Sequence, residues 1–129
     1  MSIGFTTIVP GNFEEVSLRV REALKAEGFG VVSEIDVQAT FKQKLDVDFR
    51  PYTILGACNP GMAKKAIEAM PEIGLLLPCN VTVEQVEGGV KVTAVNPDAM
   101  LSAAPSHPAI TEVAADAKPR LERVIASLG

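Results

Sequence analysis

The 129-residue chain has no tryptophan, one tyrosine, one histidine and two cysteines. With only five phenylalanines besides, its core must be filled by Val, Ile, Leu, Ala and Met. Two cysteines are too few for the multi-bridge framework of a small secreted scaffold. A chain of this length also folds without one, since it buries roughly 65–70% of the surface it exposes when unfolded. The lone histidine, His107, lies between Ser106 and Pro108. No cysteine or histidine stands beside it at ligand spacing, so no metal site is read, and any Ser-His-Asp triad would have to use this one residue. It is expected to be an exposed, inert loop residue. Basic residues are outnumbered by acidic ones, 12 to 16, giving a net charge of −4 and a pI near 5.0. Such a surface has no electrostatic pull on nucleic acid, where phosphate neutralisation dominates binding, or on anionic membranes. No apolar run nears the about 18 residues of a membrane-spanning helix. Met1–Phe5 has no basic region ahead of an apolar stretch, so no signal peptide is read. The expected compartment is the cytoplasm, where the cysteines would be free thiols.

What is present is a regular alternation of short elements. An apolar strand from about Ile3 to Val9 ends at Pro10-Gly11. Asn12 followed three residues later by Glu15 reads as a capping box, and Phe13, Val16, Val20 and Leu24 give the next helix its buried face. Gly28 suits the left-handed residue that closes it. Val31 to Ala39 alternates as a strand, with Val31, Ile35, Val37 and Ala39 on one side and Glu34, Asp36 and Gln38 on the other. Thr40 to Leu45 has room for a single helical turn. A second apolar strand, Tyr52 to Cys58, stops at Asn59-Pro60, a cap followed by a proline at the first helical position. The short helix after it closes at Pro71. Strand character returns from Gly74 to Val86 and again from Val90 to Val95, joined by Glu87-Gly88-Gly89-Val90 with the two glycines as the central turn residues. Asn96-Pro97 opens a short turn through Met100, and Ser102 to Pro108, rich in small residues and proline, is the expected mobile segment. The final helix carries Ile110, Val113, Ala114, Ala117, Leu121, Val124, Ile125 and Leu128 on one stripe, and Pro119 within it predicts a kink or a break.

The order β-α-β-β-α-β-β-α predicts one α+β domain over residues 1–129. Its expected architecture is a curved, mainly antiparallel sheet of about five strands with three helices packed on one face.

Three segments bear a family likeness. Gly28-Phe29-Gly30 with Glu34-Ile35-Asp36-Val37-Gln38-Ala39-Thr40, then Leu55-Gly56-Ala57-Cys58-Asn59-Pro60, then Gly74-Leu75-Leu76-Leu77-Pro78-Cys79-Asn80-Val81, resemble the signatures of the domain-of-unknown-function family 302. Together with the hairpin that follows, the resemblance covers about residues 5 to 101. The last helix matches only in general character, and Pro119 departs from the expected uninterrupted helix. The resemblance implies a compact unit of TATA-binding-protein-like architecture and a homo-oligomer, most simply a homodimer. It carries over no activity, and shared architecture does not bring DNA binding with it.

The candidate residues fall into two sets. Cys58 directly precedes a predicted helix start, where unpaired amides favour a thiolate, and Cys79 lies on a strand just after Pro78. They could be small buried apolar side chains, as free cysteines commonly are, or the nucleophile and resolving partner of a thiol-dependent redox or sulfur-transfer protein. Glu34 and Asp36 share the polar side of one strand. With Lys44 and Arg50, and with Asn59 and Asn80 if strand order allows, they would form a pocket for a small polar ligand; otherwise they are ion-paired or solvated. The helix start at Asn59-Pro60-Gly61 could hold an anion, but no Walker or GxGxxG pattern supports one. Met62, Met70 and Met100 read as core filler. No cofactor is implied, and the sequence leaves open whether the protein is an enzyme. Three readings stand: a self-associating module that binds a small polar ligand or a protein partner, a thiol-dependent protein, and a purely structural subunit of a larger assembly.

Overall fold

The structure is a computed structural model, and it describes residues 2–129. Each strand ends where its sequence can no longer supply a ladder. β1 (Gly4–Val9) runs into Pro10, which has no amide to donate. α1 (Phe13–Ala26) then starts at Asn12, whose side chain accepts the amide of Glu15 at 2.9 Å. It closes in a Schellman arrangement, with Phe29 N–H donating to Leu24 C=O and Gly28 N–H to Lys25 C=O, Gly28 at φ +86°. β2 (Gly30–Asp36), β3 (Tyr52–Cys58), β4 (Cys79–Val86) and β5 (Gly89–Val95) complete one five-stranded sheet in the order β1-β5-β4-β3-β2, antiparallel throughout.

The register sorts the side chains. Phe5, Val9, Val90, Val92, Ala94, Val81, Val83, Leu55 and Ala57 face one way, toward Val16, Val20 and Leu24 of α1 and the apolar stripe of α5 (Pro108–Leu128). These side chains form the main core. The other side of the sheet is polar. Thr82 lies opposite Thr93, Glu84 opposite Lys91, and the hydroxyls of Thr6 and Thr93 meet at 3.1 Å. One packed face and one wet face is the usual arrangement of an antiparallel sheet. A smaller apolar cluster joins α3 (Pro60–Ala69) to α5 through Ala66, Ile73, Ile110 and Val113. No helix among the described residues is long and apolar enough to cross a membrane.

The expected α+β architecture holds, and all eight positions of the predicted stripe on α5 are buried. Local details differ. The alternating segment ends at Asp36 rather than Ala39, because the Asp36 carboxylate accepts the Ala39 amide at 2.9 Å and starts α2 (Val37–Leu45), nine residues where one turn was expected. Gly74 to Leu76 is not strand. It belongs to a 3₁₀ turn, Pro71–Leu76, and β4 begins only beyond Pro78, since proline cannot donate to a central ladder. Val86 pairs with Gly89, so the hairpin turns on Glu87 and Gly88, not on Gly88 and Gly89. Asn96 caps a five-residue α4 (Pro97–Leu101). α5 runs through Pro119 without a break. Pro119 and Ala115, whose carbonyl loses its partner, both lie on the exposed side of the helix, where water can take the freed acceptor. His107 is half-buried, and its Nδ1 accepts the Ala109 amide at 3.0 Å as the cap of α5.

Candidate functional site

β3 reaches the end of the sheet at Cys58, and the next residue changes the chain's direction. The Asn59 side chain accepts the Met62 amide at 3.1 Å, which starts α3, and donates to the Gly28 carbonyl at 3.0 Å, which ties α3 to the end of α1. Across the ladder Ala57 pairs with Cys79, the first residue of β4. Gly56 leaves room for its neighbours on either side: a Cβ there would lie 2.1 Å from Ser33 Oγ of β2 and 2.7 Å from Cγ of Pro78, just ahead of β4. The segment Leu55-Gly56-Ala57-Cys58-Asn59-Pro60 thus contains a required close approach, a thiol and a helix cap in consecutive positions.

Beneath this corner lies a cavity of about 270 Å³. Ala57, Cys58 and Cys79 border it from the strands, Met62, Ala63 and Ile67 from α3, and Val113 and Ala117 from α5. Phe29, Val32, Leu77 and Pro78 close the remaining sides. The only polar side chains on its walls are the two thiols and Asn59, and the Asn59 amide is already engaged at both ends. Val32 and Ile67 are 64% and 43% exposed, so the cavity opens through an apolar rim. Cys58 is half-buried, whereas Cys79 is only 8% exposed. Both are free. Burial, and then the nearby charge of Cys58, pushes the Cys79 thiol up from 9.0 to about 11, so it stays protonated at neutral pH.

The other candidates lie elsewhere. Glu34 pairs with Arg21 of α1 at 2.9 Å, and Asp36 is the cap of α2. Glu34, opposite Leu55, stands at the middle of β3, and Asp36, opposite Thr53, toward its far end from Cys58; Thr53 and Cys58 are five residues, about 17 Å, apart along an extended strand. Both border a groove with Phe13, Leu18 and Tyr52. Arg50 is taken by Glu84 through two nitrogens, at 2.6 and 2.5 Å, and lies 4.4 Å from the centre of the Phe49 ring. Lys44 is exposed on α2. Asn80, opposite Gly56, is exposed on the polar side of the sheet. The fold therefore gathers Cys58, Asn59 and Cys79 and leaves Glu34, Asp36, Lys44, Arg50 and Asn80 away from them. A second groove, on the other side of Asn59, runs between α3 and α5, but its cations are matched: Lys65 by Glu112 at 2.5 Å and Arg120 by Asp116 at 2.9 Å. No group of three His, Cys, Asp or Glu able to hold a metal occurs among the described residues. Sequence reasoning missed Met62, Val113 and Ala117 as site residues. Their spacing marks them only as apolar helix faces, and which apolar residues border a void depends on how α3 and α5 meet.

Fold and site together define a single-sheet α+β domain with a thiol-bordered apolar cavity at one end of the sheet. The chain belongs to the family Domain of unknown function DUF302, whose model matches residues 5–128 and so includes α5. It is similar to an uncharacterized conserved DUF302 protein from Bacillus stearothermophilus, known from a crystal structure, with 31% identity, coverage of 100% of both chains and a TM-score of 0.88. No curated protein matches the chain.

Proposed function

We propose that this domain is a small-molecule-binding module and that the cavity between β3, β4, α3 and α5 receives the ligand. The supporting observation is the cavity itself: about 270 Å³, walled by hydrocarbon and two thiols, and open at an apolar rim. That is just under the usual size of ligand pockets, roughly 300–1,000 Å³, and shares their mainly apolar lining with few polar groups. Its chemistry favours a small apolar molecule with one polar end, in place of the polar ligand that Glu34 and Asp36 suggested. Octanamide is a suitable probe. Added to ¹⁵N-labelled protein, it should shift the amides of Val32, Met62, Cys79 and Val113, and Ala63→Phe, which fills the cavity, should abolish those shifts. Shifts confined to the polar side of the sheet, or none at all, would overturn the reading.

A thiol-dependent redox or sulfur-transfer role has one observation in its favour, two free thiols on one cavity. Against Cys79 as resolving nucleophile stands its buried, protonated state, since the thiolate is the attacking form. The binding role is the better supported of the two. Self-association belongs to the same proposal, through the edge strand β1, and the cytoplasm remains its proposed setting.

A further inference from the structure

Two thiols on one hydrocarbon-walled cavity form an uneven pair. Cys58 is half-buried and ends β3 immediately before the first turn of α3, whereas Cys79 is more than nine-tenths buried, free, and borders the same space. A thiol meeting an apolar void matches one class of metabolite closely: an acyl thioester, in which an electrophilic carbonyl carbon is attached directly to a hydrocarbon chain.

We propose that Cys58 accepts an acyl group from a soluble acyl thioester and that the cavity houses the chain. The proposal rests on the ligand-binding reading above and makes the bound state covalent. Cys58 loses its thiol proton to water, and Sγ attacks the thioester carbonyl carbon. A new C–S bond forms, the C–S bond to the carrier breaks, and the carrier leaves as a thiolate that takes up a proton. One thioester replaces another, so no oxidant or reductant enters. Cys58 rather than Cys79 reacts because it is the more exposed of the two thiols. Cys79, kept as a thiol by burial, has an S–H to offer the acyl carbonyl oxygen and acts as a positioning residue. Chain length follows from volume. At roughly 30 Å³ for a water-sized group, a cavity of about 270 Å³ has room for a medium-length chain.

The test uses the full reduced chain with octanoyl N-acetylcysteamine, followed by intact mass and peptide mapping. The expected result is one octanoyl group per chain, on Cys58, removable by neutral hydroxylamine and absent from Cys58→Ser. Octanoyl transfer should exceed acetyl transfer by about tenfold or more, the direction that methylene burial gives, and Ala63→Phe should erase that preference. Cys79→Ala, with fold checked by circular dichroism, should slow transfer without moving the site. No adduct, an adduct on Cys79, or equal labelling of native and urea-unfolded protein would overturn the proposal. Octanamide binding separates the failures. If it binds while acyl transfer fails, only the covalent step falls; if neither occurs, the ligand-binding reading falls too. Should Cys58→Ser unfold, the loss of chain-length preference in Ala63→Phe still decides the matter.

Discussion

Asn59 ties two parts of the chain with one amide side chain. Its oxygen caps α3, and its nitrogen holds the Gly28 carbonyl at the close of α1. Removing a cap of this kind costs about 0.5–2 kcal/mol, and the second hydrogen bond adds about 1 kcal/mol. Asn59→Ala should therefore lower the unfolding free energy in urea by about 2 kcal/mol, whereas Asn59→Asp, which keeps only the cap, should lose about half of that. Cys79 gives a pH-dependent counterpart. Its pKa is about 11 in the folded protein against 9.0 for a free thiol. The unfolded chain releases this proton first as pH rises, so the group's contribution is fully present below about pH 9 and is lost on passing through about pH 11. Two pKa units correspond to about 2–3 kcal/mol. The measurable quantity is the difference between wild type and Cys79→Ala. Urea unfolding between pH 8 and 11 should show the wild type losing stability more steeply, and parallel slopes would contradict the buried assignment.

At the scale of elements, α5 is the longest helix and contains its least favourable residue. Proline in a helix interior is about 3 kcal/mol worse than alanine, yet the helix is continuous through Pro119. Pairwise packing explains this: Ala117, Leu121, Val124, Ile125 and Leu128 are buried against the sheet and α1 on one side, while the lost hydrogen bond lies on the wet side. Pro119→Ala should raise stability by about 2 kcal/mol, because restoring the helix outweighs the roughly 1 kcal/mol of unfolded-state entropy that the proline removes. Thermal unfolding measures it directly. The same element shows what could be read from sequence. Periodicity identified all eight buried positions of α5 and the cap at Asn12, because amphipathic spacing and capping chemistry are local. It did not identify the end of β2, where Asp36 serves both strand and cap, or the 3₁₀ turn at Pro71–Leu76, where Leu75 to Leu77 is a short apolar run compatible with either state. The candidate site was legible only in part. Cys58 and Cys79 announce themselves as residue types, but their common cavity depends on the pairing of Ala57 with Cys79 and on α3 folding back over both. Glu34 and Asp36 shared a face with each other, and nothing local revealed that they pair with the middle and the start of β3 while the thiols lie at its end.

Across the whole molecule the two edges of the sheet are finished differently. β2 has a register shift between Val31 and Ser33, carries Glu34 and Asp36, and leads straight into α2; bulges and charges of this kind keep an edge from pairing with another chain. β1 pairs with β5 in uninterrupted register over Gly4–Val9, and its sequence, Gly-Phe-Thr-Thr-Ile-Val, contains no charge and no proline. Ile8 is 53% exposed and the preceding Ile3 80%. Two copies meeting antiparallel along such an edge place no like charges opposite each other, so the proposed self-association should run through β1 and extend the sheet across the two-fold axis. Thr6 sits mid-strand on the polar side of the sheet, where a lysine leaves the core untouched and sets two positive charges near each other in the dimer. Sedimentation velocity over a range of concentrations should show wild type shifting toward dimer and Thr6→Lys remaining monomeric. A matched substitution on the other edge, Ile35→Lys, should leave the wild-type behaviour unchanged. Wild type that is monomeric at every concentration, or that is disrupted equally by both substitutions, would remove β1 as the interface. Because the thiol-bordered cavity opens beside β2, at the opposite edge of the sheet, Thr6→Lys should also bind octanamide as the wild type does.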